Sequence, residues 1–110
     1  MRKYSENLFG KMMNGVEKAK TGNHSMAKIG ESWYFMYHKN IILTIDVEEK
    51  RIIVDNCGFN TVSTTQAINS HLDGIRQYVF YNEFKFVDLS QNKKFAGKIK
   101  QLFGKDIDNK

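Results

Sequence analysis

The sequence predicts an α+β domain, and three observations carry that prediction. Apolar residues recur at helical spacing near both ends of the chain. Between them lie β-branched and aromatic runs of strand length, punctuated by short polar segments. Read in order, these elements run helix, strands, helix, strand, helix. That order points to a mostly antiparallel sheet of about four strands, packed with N-terminal, central and C-terminal helices. The 110 residues are of single-domain size, so residues 1–110 are read as one domain, with 1–3 and 105–110 expected to fray.

The first helix is predicted over Ser5 to Lys20, because Leu8, Met12, Val16 and Ala19 fall at i, i+4, i+8 and i+11. Gly10 and Gly15 each weaken it by about 1 kcal/mol relative to alanine. TGNHS, Thr21 to Ser25, reads as a loop. Met26–Ile29 is a short strand candidate, and the aromatic run Trp33–Tyr37 is another. Ile41–Ile45 and Arg51–Asp55 flank the polar DVEEK, which makes a hairpin. His38-Lys39-Asn40 interrupts the preceding strand with a turn or bulge.

YVFYNEFKFVDL, Tyr78 to Leu89, carries a further aromatic strand signal that Asn82-Glu83 divides. From Asn92 to Phe103, the residues Phe95, Ile99, Leu102 and Phe103 recur at i, i+4, i+7 and i+8. This is a helix with Ser90 as its cap and Gly104 as its stop.

The segment DNCGFNTVSTTQAINSHL, Asp55 to Leu72, joins a strand to the central helix. Asn56-Cys57-Gly58 supplies turn chemistry, since asparagine and glycine tolerate positive φ. Phe59–Val62 reads as extended. Ser63-Thr64-Thr65-Gln66 fits the S-x-x-Q capping box, with Ser63 as cap, Gln66 reaching back, and Val62 and Ala67 as a weak staple. Ile68, Leu72 and Ile75 continue the buried stripe. Exposed amides and hydroxyls at a helix start can also hold an anion. No Walker-type G-x-x-x-x-G-K-[ST] motif is present, however, and a structural cap accounts for the residues.

The pattern from Tyr37 to Leu72 resembles a segment of small, mostly uncharacterised bacteriophage proteins. Those run as a tyrosine, a short turn, isoleucine, a hairpin and then G-G-[WYF]-x-T-x-T-T-x-x-x-I-N. The matching positions here are Gly58, Phe59, Thr61, Thr64, Ile68 and Asn69, with Thr65 and Gln66 at unspecified positions of the pattern; the chain departs from it at Cys57, where the family often has its first glycine, and at Ser63 the family position is variable. About a third of the chain is covered. The resemblance implies a phage or prophage setting, in the cytoplasm of an infected bacterial host, with no agreed biochemical activity.

Composition narrows the remaining chemistry. With 41% hydrophobic and 13% aromatic residues the chain is too apolar to stay disordered. Its single cysteine excludes an internal disulfide and multi-cysteine zinc sites. No apolar run approaches membrane-spanning length, and the N-terminus lacks the h-region of a signal peptide. The net charge of +5 favours an acidic partner.

Cys57 with His71 is the one nucleophile and base pair on offer, but a turn and most of a helix separate the two. His24, His38 and His71 lack metal-ligand spacing. His24 and His38 fall in predicted loops and read as solvated, and neither a metal nor a cofactor is expected. Asp46, Glu48 and Glu49 cluster at a hairpin tip, while Asp55 and Asp88 stand apart. The rings of Tyr78, Phe80, Phe84 and Phe86 share one alternation only on an unbroken strand, and no RNA-recognition motif accompanies them.

The best candidate surface is Lys93, Lys94, Lys98, Lys100 and Lys105, a run of lysines with no acid between the first and the last. Such a face contacts phosphates in a salt-dependent way, or it is the solvated side of an amphipathic helix. The expectation is therefore a non-enzymatic, phage-encoded protein that binds and inhibits a host protein or nucleoprotein complex, of the anti-CRISPR type for example. A small basic DNA- or RNA-binding protein is the alternative, and an enzyme using Cys57 and His71 comes third.

Overall fold

The computed structural model describes residues 1–108. Helix α1 spans Lys3–Met13, and strands β1 (Lys18–Thr21), β2 (His24–Ile29), β3 (Ser32–Tyr37), β4 (Asn40–Asp46) and β5 (Arg51–Val54) follow. Helix α2 (Val62–Tyr78) leads to β6 (Lys85–Asp88), a 3-10 turn (Gln91–Lys93) and helix α3 (Ala96–Phe103). One six-stranded sheet runs in the order β1-β2-β3-β4-β5-β6. The first five strands form an antiparallel meander, and β6 pairs parallel to β5 after the α2 crossover. The α+β class and the mostly antiparallel sheet are as the sequence predicts, with six strands where about four were expected.

One of the extra strands, β1, comes from a helix that ends early. α1 stops at Met13, with Asn14 as its C-cap and Gly15 at φ 82°. Val16 is exposed, and Ala19 lies on β1 rather than on the helical stripe. Helical spacing had joined Val16 and Ala19 to Leu8 and Met12, although Gly15 is the stop. His24 belongs to β2 and not to a loop, so β1 and β2 form a hairpin.

The aromatic run also divides differently. Tyr78 closes α2, and only Lys85–Asp88 is strand, so Phe80 sits in a connection and is exposed. At Asn92 and Lys93 φ is positive, which breaks the predicted C-terminal helix, and α3 begins at Ala96. Gly104 stops it in the left-handed conformation as predicted.

Arg2, Ile107 and Asp108 are held within the segments expected to fray. The Arg2 N–H donates to Ser70 Oγ at 2.8 Å. Ile107 bridges to Phe86, and the Asp108 N–H donates to the Phe86 carbonyl at 2.6 Å. Residues 109 and 110 lie outside the described residues.

Alternation along the strands separates the two faces of the sheet. Met26, Phe35, Leu43, Ile45, Ile52, Val54 and Phe86 point to one side. There they meet Leu8, Phe9 and Met12 of α1, Ala67, Ile68, Leu72 and Ile75 of α2, and Ile99 of α3 in one core. A bulge between Phe35 and Met36 leaves Ile42 without a partner on β3, and it enters the core beside Leu43. Helix α1 lies over β1 and β2, α2 lies over β4, and α3 packs against α2. α1 and α2 approach closely at Gly74, where an added Cβ would stand 2.6 Å from the Phe9 ring.

Candidate functional site

The strand-to-helix joint is built by side chains folding back on their own backbone. Asp55 Oδ1 accepts from the Cys57 N–H at 2.8 Å, and Asn56 Oδ1 accepts from the Gly58 N–H at 3.1 Å. Both Cys57 (φ 55°) and Gly58 (φ 80°) are left-handed. The helix cap is Thr61, not Ser63. Thr61 Oγ1 accepts from the Thr64 N–H at 3.2 Å, and Thr65 N–H begins the helical ladder on the Thr61 carbonyl. Helix α2 therefore starts two residues earlier than the S-x-x-Q pattern suggests. Ser63 and Gln66 stay exposed, and Val62 is 73% exposed and staples nothing. Thr65 Oγ1 accepts from Lys94, and Asn69 lies half-buried one turn further along.

Four of the five candidate lysines are engaged within the protein. Lys93 Nζ donates to the Asp88 carbonyl at 3.0 Å, and Lys94 Nζ donates to Asn60 Oδ1 and to Thr65 Oγ1. Lys100 pairs with Asp106 at 3.4 Å, an exposed pair of small worth. Lys105 Nζ donates to the carbonyls of Tyr81, Asn82 and Phe84, so it acts as a clasp on the α2–β6 connection. Lys98 alone of the five has no hydrogen bond or ion pair among the described residues.

Asp88 is fully buried and serves the same corner. Its carboxylate accepts from the Ser90 N–H at 2.9 Å, the Ser90 hydroxyl, and the Phe95 N–H at 2.7 Å. All three donors are structural.

Cys57 and His71 share no contact. The Cys57 thiol donates to the Ile41 carbonyl at 3.2 Å, and burial followed by the charge of Asp55 pushes its pKa up, away from a reactive thiolate. His71 is fully buried under α1. There the Arg2 N–H donates to Ser70 Oγ, the Ser70 hydroxyl donates to Ser5 Oγ at 2.7 Å, and Ser5 lies 2.7 Å from His71 Nδ1.

Ser5 Oγ donates to Nδ1 or accepts from it according to the imidazole tautomer. Nε2 has no hydrogen-bond partner among the described residues. Burial first, then the His24 charge, lowers the His71 pKa to about 3. A Ser–His pair so enclosed lacks access to substrate, and its base is far too weak for neutral-pH catalysis.

His24, expected in solvent, is stacked between Tyr4 (3.7 Å between ring centroids) and Tyr37 (4.8 Å), with His71 edge-on at 6.2 Å. Burial and the charge of His38 lower its pKa. The sequence reading missed this cluster, yet a signal was present. Ser5, Leu8, Phe9 and Met12 stand at i, i+3, i+4 and i+7, and so do Ile68, His71, Leu72 and Ile75. Both polar residues therefore fall on core stripes. Among the described residues no group of three or more His, Cys, Asp or Glu is placed to hold a metal ion.

Two surfaces bear on binding. The first is the outer face of the sheet, where Ala27, Tyr34, Thr44 and Ile53 lie in register across β2 to β5, with Met36 and Ile41 beside them. None of these joins the core or the partly buried hydrophobics packed against it. The same face carries Lys18, Lys20, Arg51 and Lys85, with Asp46 paired to Arg51 at 3.6 Å. The second is a cleft of about 430 Å³ between the β3–β4 turn and the start of α2, lined by Tyr37, His38, Asn40, Phe59, Thr61, Ser63 and Thr64. An adjoining hollow shares His38 and Asn40 with it and adds Lys20, Asn23 and Lys39.

No helix among the described residues is long and apolar enough to cross a membrane. No protein-family model, curated protein or solved structure matches the chain.

Proposed function

We propose that this chain is a non-enzymatic, phage-encoded binding protein whose bare sheet face engages a host macromolecular complex and inhibits it by occupying its working surface. The observation that carries the reading is that face: Tyr34, Met36, Ile41 and Ile53 form an apolar strip outside the core, bordered by the basic side chains of Lys18, Lys20, Arg51 and Lys85. Contiguous apolar patches with polar rims mark interaction surfaces. The complementary partner is a protein surface with an apolar centre and an acidic border, because a second copy would bring like charge against like.

The phage setting rests on the segment resemblance. The left-handed pair Cys57–Gly58 supports it, since the family pattern places two glycines there and the local backbone suits glycine at both. A defence complex of the kind anti-CRISPR proteins block is one such target. The lysines after residue 92 support nucleic-acid binding less than their number suggests, because four of the five are committed to internal acceptors or an ion pair.

The test is affinity capture from nuclease-treated bacterial lysate, with wild type beside Tyr34→Glu and Ile53→Glu. A protein partner retained by the wild type and lost by both folded variants supports the reading. Capture that survives both substitutions, or that disappears with nuclease, overturns it.

A further inference from the structure

We propose that the cleft between the β3–β4 turn and residues 59–64 binds an aromatic anion of the nucleoside monophosphate class, free or as one unit of a single-stranded nucleic acid. The cleft volume of about 430 Å³ falls in the range typical of small-molecule sites, and its composition, aromatic walls with a few polar groups, is typical as well.

Two rings supply the walls. Tyr37 stacks on His24 at 4.8 Å and has the His38 ring tilted against it at 4.4 Å. Phe59 is 49% exposed and has no aromatic partner among the described residues, although it belongs to a turn held by two side-chain hydrogen bonds. A large ring exposed at the surface is suited to stacking on a planar group. Asn40, Ser63 and Thr64 add amide and hydroxyl groups able to meet the edge of a heterocycle or a sugar.

Charge sets the second half of the ligand. The adjoining hollow places Lys20 and Lys39 beside His38, and among the described residues no carboxylate lines either depression. A neutral aromatic would leave those cations unanswered, and bare phosphate would leave Phe59 and Tyr37 unused. A base joined to a phosphate answers both. The recognition is by side chains: the first-turn amide of Thr64 is already bonded to Thr61 Oγ1.

The test is an NMR titration of the isotope-labelled full chain with adenosine monophosphate, with inorganic phosphate, and with a short oligothymidylate. The nucleotide is expected to shift the amides of His38, Lys39, Asn40, Phe59 and Ser63. Phe59→Ala and Lys39→Ala, both at exposed side chains, are each expected to weaken binding by about tenfold. Tighter, salt-sensitive binding of the oligonucleotide would identify a nucleic-acid source, and equal binding per nucleotide a free one. The proposal is overturned if neither nucleotide perturbs the cleft at millimolar concentration. It is equally overturned if phosphate alone reproduces the shifts and Phe59→Ala changes nothing.

Discussion

The two faces of the sheet are made by the same strands and differ in what lies over them. On β3, Phe35 stacks on Phe9 at 4.4 Å and is fully buried, whereas Tyr34 and Met36, one residue away on either side, are half-buried and touch no helix core. The inner face is closed by α1 and α2, with a seam of polar groups sealed between them. Apolar composition therefore does not tell which face is core, because Ile53 is as apolar as Ile52. The distinction lies in the cover, which depends on helices placed far away in sequence.

The largest expected effect tests that contrast directly. Phe35→Ala removes a ring from a closed core and is expected to cost about 3–5 kcal/mol. Tyr34→Ala on the open face is expected to cost no more than about 1 kcal/mol. Urea unfolding midpoints at a common m-value measure both. Equal losses would mean that the outer face is covered in solution and that the contrast fails.

How far this architecture could be read beforehand follows the range of the interactions. Ile41–Ile45 and Arg51–Asp55 announced their hairpin because period and turn chemistry are local. The stripe of Ile68, Leu72 and Ile75 was legible for the same reason. Val16 and Ala19 misled because helical spacing continues past Gly15 by coincidence, and a stop at positive φ outweighs a weak stripe. Thr61 and Ser63 both offer cap hydroxyls two residues apart, and Thr61 takes the cap. The tethering of Lys94 to Asn60 and of Lys105 to three carbonyls spans more than twenty residues in each case, so no window of sequence contains it. The cleft was illegible in the same way, since Tyr37 and Phe59 meet across a whole hairpin.

Acid should open the covered face and leave the bare one indifferent. In the unfolded chain His71 has a pKa near 6.5, and in the fold it is about 3. The unfolded state therefore binds the extra proton between those values. The stabilisation is fully present above about pH 6.5 and is lost as the pH falls towards 3. By pH 5 the loss is about 2 kcal/mol, with the lowered pKa of His24 acting in the same direction. Stability measured by urea between pH 7.5 and 5 checks it, and His71→Gln should flatten most of the slope. An unchanged slope in that variant would move the titration away from the seam.

Gly74 sharpens the comparison from the side of the cover. An alanine Cβ there would stand 2.6 Å from Phe9, whose ring is held between Phe35 and Tyr78 and cannot swing aside. Gly74→Ala is expected to cost about 1–3 kcal/mol through overpacking, even though alanine favours the helix by about 1 kcal/mol. Gly10→Ala, with nothing within 4 Å of the added carbon, should show the propensity gain alone. Thermal unfolding of the pair separates close packing from helix propensity.

The smallest effect lies at the border, where the chain leaves the sheet to become its cover. Cys57 occupies φ 55°, a conformation that costs a side-chain-bearing residue about 1 kcal/mol and glycine almost nothing. Cys57→Gly surrenders the thiol contact with the Ile41 carbonyl and gains unfolded-state entropy, which offsets part of the relief. A net stabilisation of about 0.5 kcal/mol is the expected balance, whereas Cys57→Ala keeps the strain and loses the contact, and so should destabilise. Gly58→Ala, at φ 80° with open space around it, should cost about 1 kcal/mol from conformation alone. If glycine at position 57 is the worse residue, the thiol contact outweighs the backbone, and the joint is held by Cys57 rather than merely tolerating it.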